Sequence, residues 1–239
     1  MKYAVIAAGE GSRLTKEGNT TPKPLIEVNG ERLVDRLLRI FEAQGASEVA
    51  VICNEQMTEV SDHLVAVQQN YRLPLRLVVK STSSSMHSMW ELSSWLDDGP
   101  FVLTTVDTIF REQTFSEYVR TFQDLMNSGT ADGLMGVTDY IDDEKPLYVA
   151  TNDRLDITGF HDVRCEGVKY VSGGIYGLSS QSLETLRRCI ERGESRMRNF
   201  QRALVNDGFQ LKAWPFSKIF DVDHASDVQK AEVFLRGEK

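Results

Sequence analysis

This 239-residue sequence predicts an α/β fold, with helices in layers on both faces of a mostly parallel, mixed sheet (a three-layer αβα arrangement). Three observations carry that reading. Short apolar runs alternate with amphipathic stretches through the first half, the βαβα order that buries a parallel sheet between helices. The first run, residues 3–8, is apolar throughout and stops at Gly9, as a strand buried on both faces does. Residues 132–178 contain short β-rich stretches without clear helices, which predicts a small β-rich lobe over the site.

The elements follow in order. Residues 31–44 place Leu33, Leu37, Leu38 and Phe41 at helical spacing, and Gly45 supplies the stop. A strand at 49–53, a helix at 56–69 and a strand at 75–79 come next. Residues 86–96 read as a helix in which Met86, Met89 and Trp90 face a core, closed by the turn Asp97-Asp98-Gly99-Pro100. A strand at 101–106 and a helix at 115–126 complete the alternating half. Strands are expected at 133–138, 147–151 and 170–178, and helices at 180–192, at 197–207 and after His224. No repeat or linker interrupts the chain, so residues 1–239 are read as one domain.

Composition narrows the functions. A net charge of −8 argues against nucleic acid as a partner, because phosphate backbones demand a basic footprint. It leaves room for a nucleotide substrate, which needs only local cations and a divalent metal. Cys53, Cys165 and Cys189 are odd in number and lack metal-ligand spacing, which reads as reduced thiols. No stretch approaches the roughly 18 apolar residues of a membrane span, so a cytoplasmic protein without a membrane partner is expected. The oligomeric state stays open, a dimer included.

The sharpest local feature is the junction Ala7-Ala8-Gly9-Glu10-Gly11-Ser12-Arg13-Leu14, followed by Thr21-Pro22-Lys23-Pro24-Leu25. Glycines after a first strand let backbone N–H groups approach phosphate oxygens. A dinucleotide fingerprint would need glycine where Leu14 stands and a helix where residues 15–21 read as a polar loop; a P-loop run is missing altogether. What remains is a phosphate cradle that delivers Arg13, then Lys23 fixed in extended geometry between two prolines. Asp107 ends the strand at 101–106, where it is either a turn residue or a metal ligand. Near the C-terminus Asp221, Asp223 and Asp227 follow a strand-like lead. Alternation puts Asp221 and Asp223 on one side, and Asp227 reads as the cap of the last helix.

The segment AAGEGSRL…TPKPLIEVNGERLVDRLL resembles the signature of the nucleotidyltransferase superfamily, whose members include sugar-1-phosphate nucleotidyltransferases and phosphocholine cytidylyltransferases. The resemblance runs from Met1 to about Phe110 and returns near the C-terminus. It implies a Rossmann-like enzyme that moves a nucleoside monophosphate from a nucleoside triphosphate to a small phosphorylated acceptor, with pyrophosphate leaving and Mg²⁺ as cofactor. A catalytically silent nucleotide-binding subunit of the same fold is the competing reading. Under the resemblance Arg13 holds the β- and γ-phosphates and Lys23 stabilises the α-phosphate. Ala7, Ala8, Gly9, Gly11 and Ser12 wrap the triphosphate, and Asn54, Ser85 and Ser88 stand on the base side. Asp107 and Asp221 become the metal ligands, with Asp223 in reserve. The run Ser85-Met86-His87-Ser88-Met89 looks more like the branch acting on alcohol phosphates. Gly173, Gly174 and Tyr176 match a segment lining the acceptor pocket, although Ser172 replaces its usual asparagine; a strand bulge is the alternative for the two glycines.

Overall fold

The computed structural model describes residues 1–237. Its frame is a nine-stranded mixed sheet. β1 (Lys2–Ala7), β4 (Glu48–Cys53), β5 (Leu75–Val79) and β6 (Phe101–Thr105) are mutually parallel in the order β5-β4-β1-β6. Between β1 and β4 come helix α1 (Ser12–Lys16), the two-residue hairpin of β2 (Glu27–Val28) and β3 (Glu31–Arg32), and α2 (Leu33–Ala43). The helices α3 (Thr58–Gln68) and α4 (Ser85–Leu92) precede β5 and β6. Beyond β6 run the short strand β7 (Thr108–Ile109), α5 (Glu112–Ser128), β8 (Gly133–Thr138), β9 (Tyr148–Thr151), β10 (Ile157–His161) and β11 (Tyr170–Leu178). The chain closes with α6 (Ser182–Glu191), α7 (Met197–Asn206), β12 (Leu211–Phe216), β13 (Phe220–Asp221) and α8 (Ala225–Arg236).

Alternation along β1 divides the interior into two cores. Tyr3, Val5 and Ala7 pack with residues of α2, α3, α5 and α8. Ala4, Ile6 and Ala8 pack with residues of α4, α6 and α7 on the other face. Every second side chain of a strand serves the same face, so a continuously apolar strand feeds two layers at once. The three-layer expectation therefore holds in its detail.

β11 explains the β-rich segment. Its C-terminal half pairs antiparallel with β6, while Tyr170 and Val171 run beyond the end of β6 and pair with β9. The β9–β10 hairpin consequently stands over the C-terminal strand ends as an extension of the main sheet. On its opposite edge β11 pairs with β8, and β8 with β12.

Local differences from the sequence reading have physical reasons. Of residues 15–21, expected to be loop, Thr15 and Lys16 instead end the short helix α1, anchored by its one buried residue Leu14. The strands β10 and β12 had no expected counterpart. β12 carries Pro215, which argues against a central strand; β8 is its one strand partner among the described residues, and on the other side it has only a bridge from Lys212 to Asp156, short of Pro215, so a missing N–H is tolerated. Among the described residues no helix is long and apolar enough to cross a membrane.

Candidate active site

The glycine loop leaves β1 at the C-terminal edge of the sheet. Gly11 adopts the left-handed conformation (φ 60°, ψ 32°), open to glycine at little cost. A Cβ there would stand 3.4 Å from Cβ of Lys23, so the loop lies directly against that lysine. Lys23 itself differs from its expected extended form. It begins a single 3-10 turn with Pro24 and Leu25, closed by Leu25 N–H donating to Pro22 O at 2.8 Å. The prolines still fix it, with Pro22 extended ahead of the turn, and the side chain is 8% exposed.

Two carboxylates from distant parts of the chain meet this ammonium. Nζ of Lys23 donates to Oδ2 of Asp107 at 2.7 Å and to Oδ1 of Asp223 at 2.7 Å. Asp107 occupies the turn after β6, as expected. Asp223 arrives because β13 is stitched to β7: Asp221 faces Thr108, Phe220 faces Ile109, and Val222 N–H donates to Asp107 O at 3.1 Å. Asp223 also pairs with Arg13, whose other amino group approaches Glu144 at 3.6 Å. Oδ1 of Asp221 accepts from the Thr108 hydroxyl at 3.1 Å.

Two cavities flank this ion-pair network. The first, about 510 Å³, is lined by Ala8, Gly9, Glu10, Gly11 and Ser12 from the glycine loop, by Thr82 to Ser85 and Ser88, and by Lys23, Thr105 and Asp107. The second, about 240 Å³, takes Arg13, Asp221 and Asp223 as one wall, with Ser172, Gly173 and the loop after β8. Lys23 and Asp107 thus face one cavity, Arg13, Asp221 and Asp223 face the other, and the Lys23–Asp223 pair joins them.

Charge coupling follows the geometry. Burial works to discharge Lys23, but Asp107 and Asp223 outweigh it and hold its pKa above the ordinary lysine value. Partial burial works to raise Asp223, yet Lys23 and Arg13 hold it below the usual carboxylate range. Asp221 is open to solvent at the second cavity. The protein around it, then the charges of Asp107 and Asp223, raise its pKa well above the carboxylate norm, against Lys23 and the Thr108 hydroxyl. Water reaches this carboxylate, so repulsion from its two neighbours is the weightier cause.

Uncompensated repulsion at Asp221 is what a divalent cation would relieve. Among the described residues no three His, Cys, Asp or Glu side chains enclose a cation by themselves. Mg²⁺ does not need such a cage, since it typically takes one or two carboxylates and fills its shell with phosphate and water. Asp107 and Asp221 fit that donor set. Both oxygens of Asp223 are engaged by Lys23 and Arg13, so it is better placed to hold the two cations in position.

The remaining expected residues separate into three groups. Gly9, Gly11, Ser12, Ala8, Ser85 and Ser88 line the first cavity, and Gly173 lines the second. Asn54 and Ala7 do not. Asn54 is 4% exposed, and its Oδ1 accepts from Ser81 Oγ at 2.7 Å and Gln56 N–H at 2.9 Å. Its amide donates to Ala8 O at 3.4 Å, so it braces the glycine and serine loops from below. Ala7 points into the core. Gly174 and Tyr176 also stand back from the second cavity. Gly174 sits in a β11 bulge at φ 72°, where a Cβ would come within 2.8 Å of Thr108 Oγ1, and Tyr176 is core. Arg13 faces the second cavity rather than the first, because Asp223 and Glu144 draw it there.

Sequence reasoning passed over Thr82, Ser83 and Ser84, which line the first cavity beside the two serines it chose. The serine run was visible, but nothing in it distinguished members. It also passed over Glu17, whose carboxylate accepts from Ala225 N–H at 2.8 Å and meets His224 Nδ1 at 2.5 Å, tying the glycine-loop side to the start of α8. Asp227 caps α8 as expected, accepting from His224 N–H at 2.8 Å.

Comparison with known proteins places the fold and the family. Residues 3–205 match the family model of the MobA-like NTP transferase domain. A Bacillus subtilis protein assigned as a probable glucose-1-phosphate cytidylyltransferase is 20% identical over 225 residues, covering 92% of this chain and 77% of that one. Two solved structures share the fold. A Bacillus anthracis protein assigned as a glucose-1-phosphate thymidylyltransferase superposes with a TM-score of 0.85 at 18% identity, covering 100% of this chain and 96% of that one. The CTP:phosphocholine cytidylyltransferase of Streptococcus pneumoniae gives 0.75 at 15% identity, covering 98% of each chain.

Proposed function

The chain belongs to the MobA-like NTP transferase domain family, within the nucleotidyltransferase superfamily, and from that premise we propose that it transfers a nucleoside monophosphate from a nucleoside triphosphate to a small phosphorylated acceptor, releasing pyrophosphate. One observation carries the reading: two cavities meet at the Lys23–Asp223–Arg13 ion-pair network. In-line displacement needs that topology, with the triphosphate on one side of the reacting phosphorus and the attacking phosphate on the other.

The glycine loop and the serine run hold the triphosphate in the first cavity through N–H and hydroxyl donors. Lys23 points its ammonium at the α-phosphate. Asp107 and Asp223 keep that ammonium charged and aimed, so no reorganisation is needed as charge develops. Arg13, held by Asp223, faces the acceptor phosphate from the second cavity. Asp107 and Asp221 would hold Mg²⁺, which when bound screens the repulsion between two anionic reactants. The acceptor is already an anion, so little proton transfer is required, and the task of the protein is alignment.

A screen of nucleoside triphosphates against sugar and alcohol phosphates, read as pyrophosphate release with and without Mg²⁺, tests this. Release that needs both the acceptor and the metal supports it. Nucleotide binding without release for every pair would assign the chain to a silent binding role.

A further inference from the structure

We propose that Gln201 of α7 is a positioning residue for the acceptor: it holds the Ser172 hydroxyl so that this wall of the second cavity receives a hydrogen bond and does not give one. This rests on the transferase reading given above and deepens it on the acceptor side.

Gln201 stands out from its own helix. α7 turns Met197, Phe200, Ala203 and Leu204 into the core, and Gln201, on the same buried face, is 2% exposed. A carboxamide buried among apolar side chains is costly unless it is hydrogen-bonded. Its Oε1 accepts from Ser172 Oγ at 3.1 Å. Ser172 lines the second cavity and Gln201 does not, so the amide acts on the cavity through the serine.

The bond decides what Ser172 can offer a ligand. A serine hydroxyl carries one hydrogen and two lone pairs, and its O–H turns to suit its surroundings. The backbone of Ser172 is fixed, because its N–H donates to Leu147 O at 2.9 Å just ahead of the β11 bulge. The hydroxyl still has a choice of partners: Gln201, the Tyr176 phenol or the open cavity. Burial raises the Tyr176 pKa and the Ser172 hydroxyl works against that rise, so the two groups are within reach of each other. Gln201 takes the hydrogen. The lone pairs of Oγ are left for the cavity, where they suit an O–H or N–H of the acceptor and not an oxygen of its phosphate.

A second contact ties α7 to the same wall. Arg198 donates to Lys145 O at 3.0 Å, at the end of the loop whose Asp142, Asp143 and Glu144 line the second cavity. One helix thus fixes two parts of the acceptor side.

A double-mutant cycle on acceptor binding to the full chain tests this. The probes are sn-glycerol 3-phosphate and glucose 1-phosphate, which carry hydroxyls, and phosphocholine, which has no O–H or N–H outside its phosphate. Gln201→Leu should weaken binding of the two hydroxylated probes roughly fivefold and leave any phosphocholine binding as it was. Once Ser172→Ala is in place, adding Gln201→Leu should change nothing further, which a general loosening of α7 would not reproduce. Gln201→Met replaces the leucine variant if that one does not fold. Unchanged affinity, equal losses for all three probes, additive effects of the two substitutions, or binding of neither hydroxylated probe would overturn the proposal. Turnover is read separately. The predicted cycle without pyrophosphate release from any nucleoside triphosphate would uphold the role of Gln201 and contradict the transferase reading. Release that persists in Gln201→Leu with unchanged acceptor affinity would do the opposite.

Discussion

Lys23 is a buried ammonium between two carboxylates, and its removal has two separable consequences. Replacement by alanine takes away the cation at the reacting phosphate and should lower turnover by on the order of 10²-fold or more. It also leaves Asp107 and Asp223 without their shared partner, which should cost roughly 1–3 kcal/mol of stability. Partial exposure of Asp223 keeps that cost toward the lower end. Steady-state rates and denaturant midpoints on one preparation separate the two. Unchanged turnover in a folded variant would remove Lys23 from the chemistry. At this scale the sequence was legible where a residue sits on a chain-local device: Lys23 between prolines, Asp107 at a strand end. It was illegible where tertiary contacts decide which way a side chain turns. Arg13 is drawn to the second cavity by Glu144, and Asn54 is consumed by Ser81 and Gln56, partners that no local pattern announces.

Among the elements, the bulge of β11 and the β13–β7 stitch bring the second carboxylate to the first. Gly174 has φ 72° and no room for a Cβ against Thr108, the residue whose hydroxyl holds Asp221. Gly174→Ala should therefore destabilise by about 1–3 kcal/mol and lower activity beyond what the lost stability explains. Thermal unfolding and turnover measured together check this; a fully active variant would show that Thr108 does not position Asp221. The Glu17–His224 contact is a second junction, holding the glycine-loop side to α8. Glu17 raises the His224 pKa above its ordinary value, so this contact's contribution is complete below about pH 6.5 and is lost as pH rises through the raised value. The Glu17 pKa is lowered, first by the Ala225 N–H and then by His224, so its share is present above about pH 4.3 and is lost on acidification. Amide exchange in residues 9–18 should accelerate as pH rises from 6 to 9, after correction for the intrinsic rate, and His224→Gln should abolish that trend. A trend that persists in the variant would locate its cause elsewhere.

For the molecule as a whole, parallel strands with alternating buried faces fix where loops gather, and the glycine loop, the serine run and Asp107 all leave the same sheet edge. That much followed from the βαβα order, which is why the fold class was readable from periodicity. The distal half was less readable because its strands are joined by long-range pairing. β12 follows α7 yet pairs with β8 from far earlier in the chain, and β11 binds β6, β8 and β9 at once. Such pairing brings the C-terminal aspartates to Lys23 and gives the two cavities a common wall. The most direct measurement is a crystal structure with Mn²⁺ and a non-hydrolysable nucleoside triphosphate analogue. The metal should lie on Asp107 and Asp221, the phosphates along the glycine loop, and Lys23 within hydrogen-bond reach of the α-phosphate. A nucleotide bound away from the glycine loop, or a metal held by residues other than this aspartate pair, would contradict it.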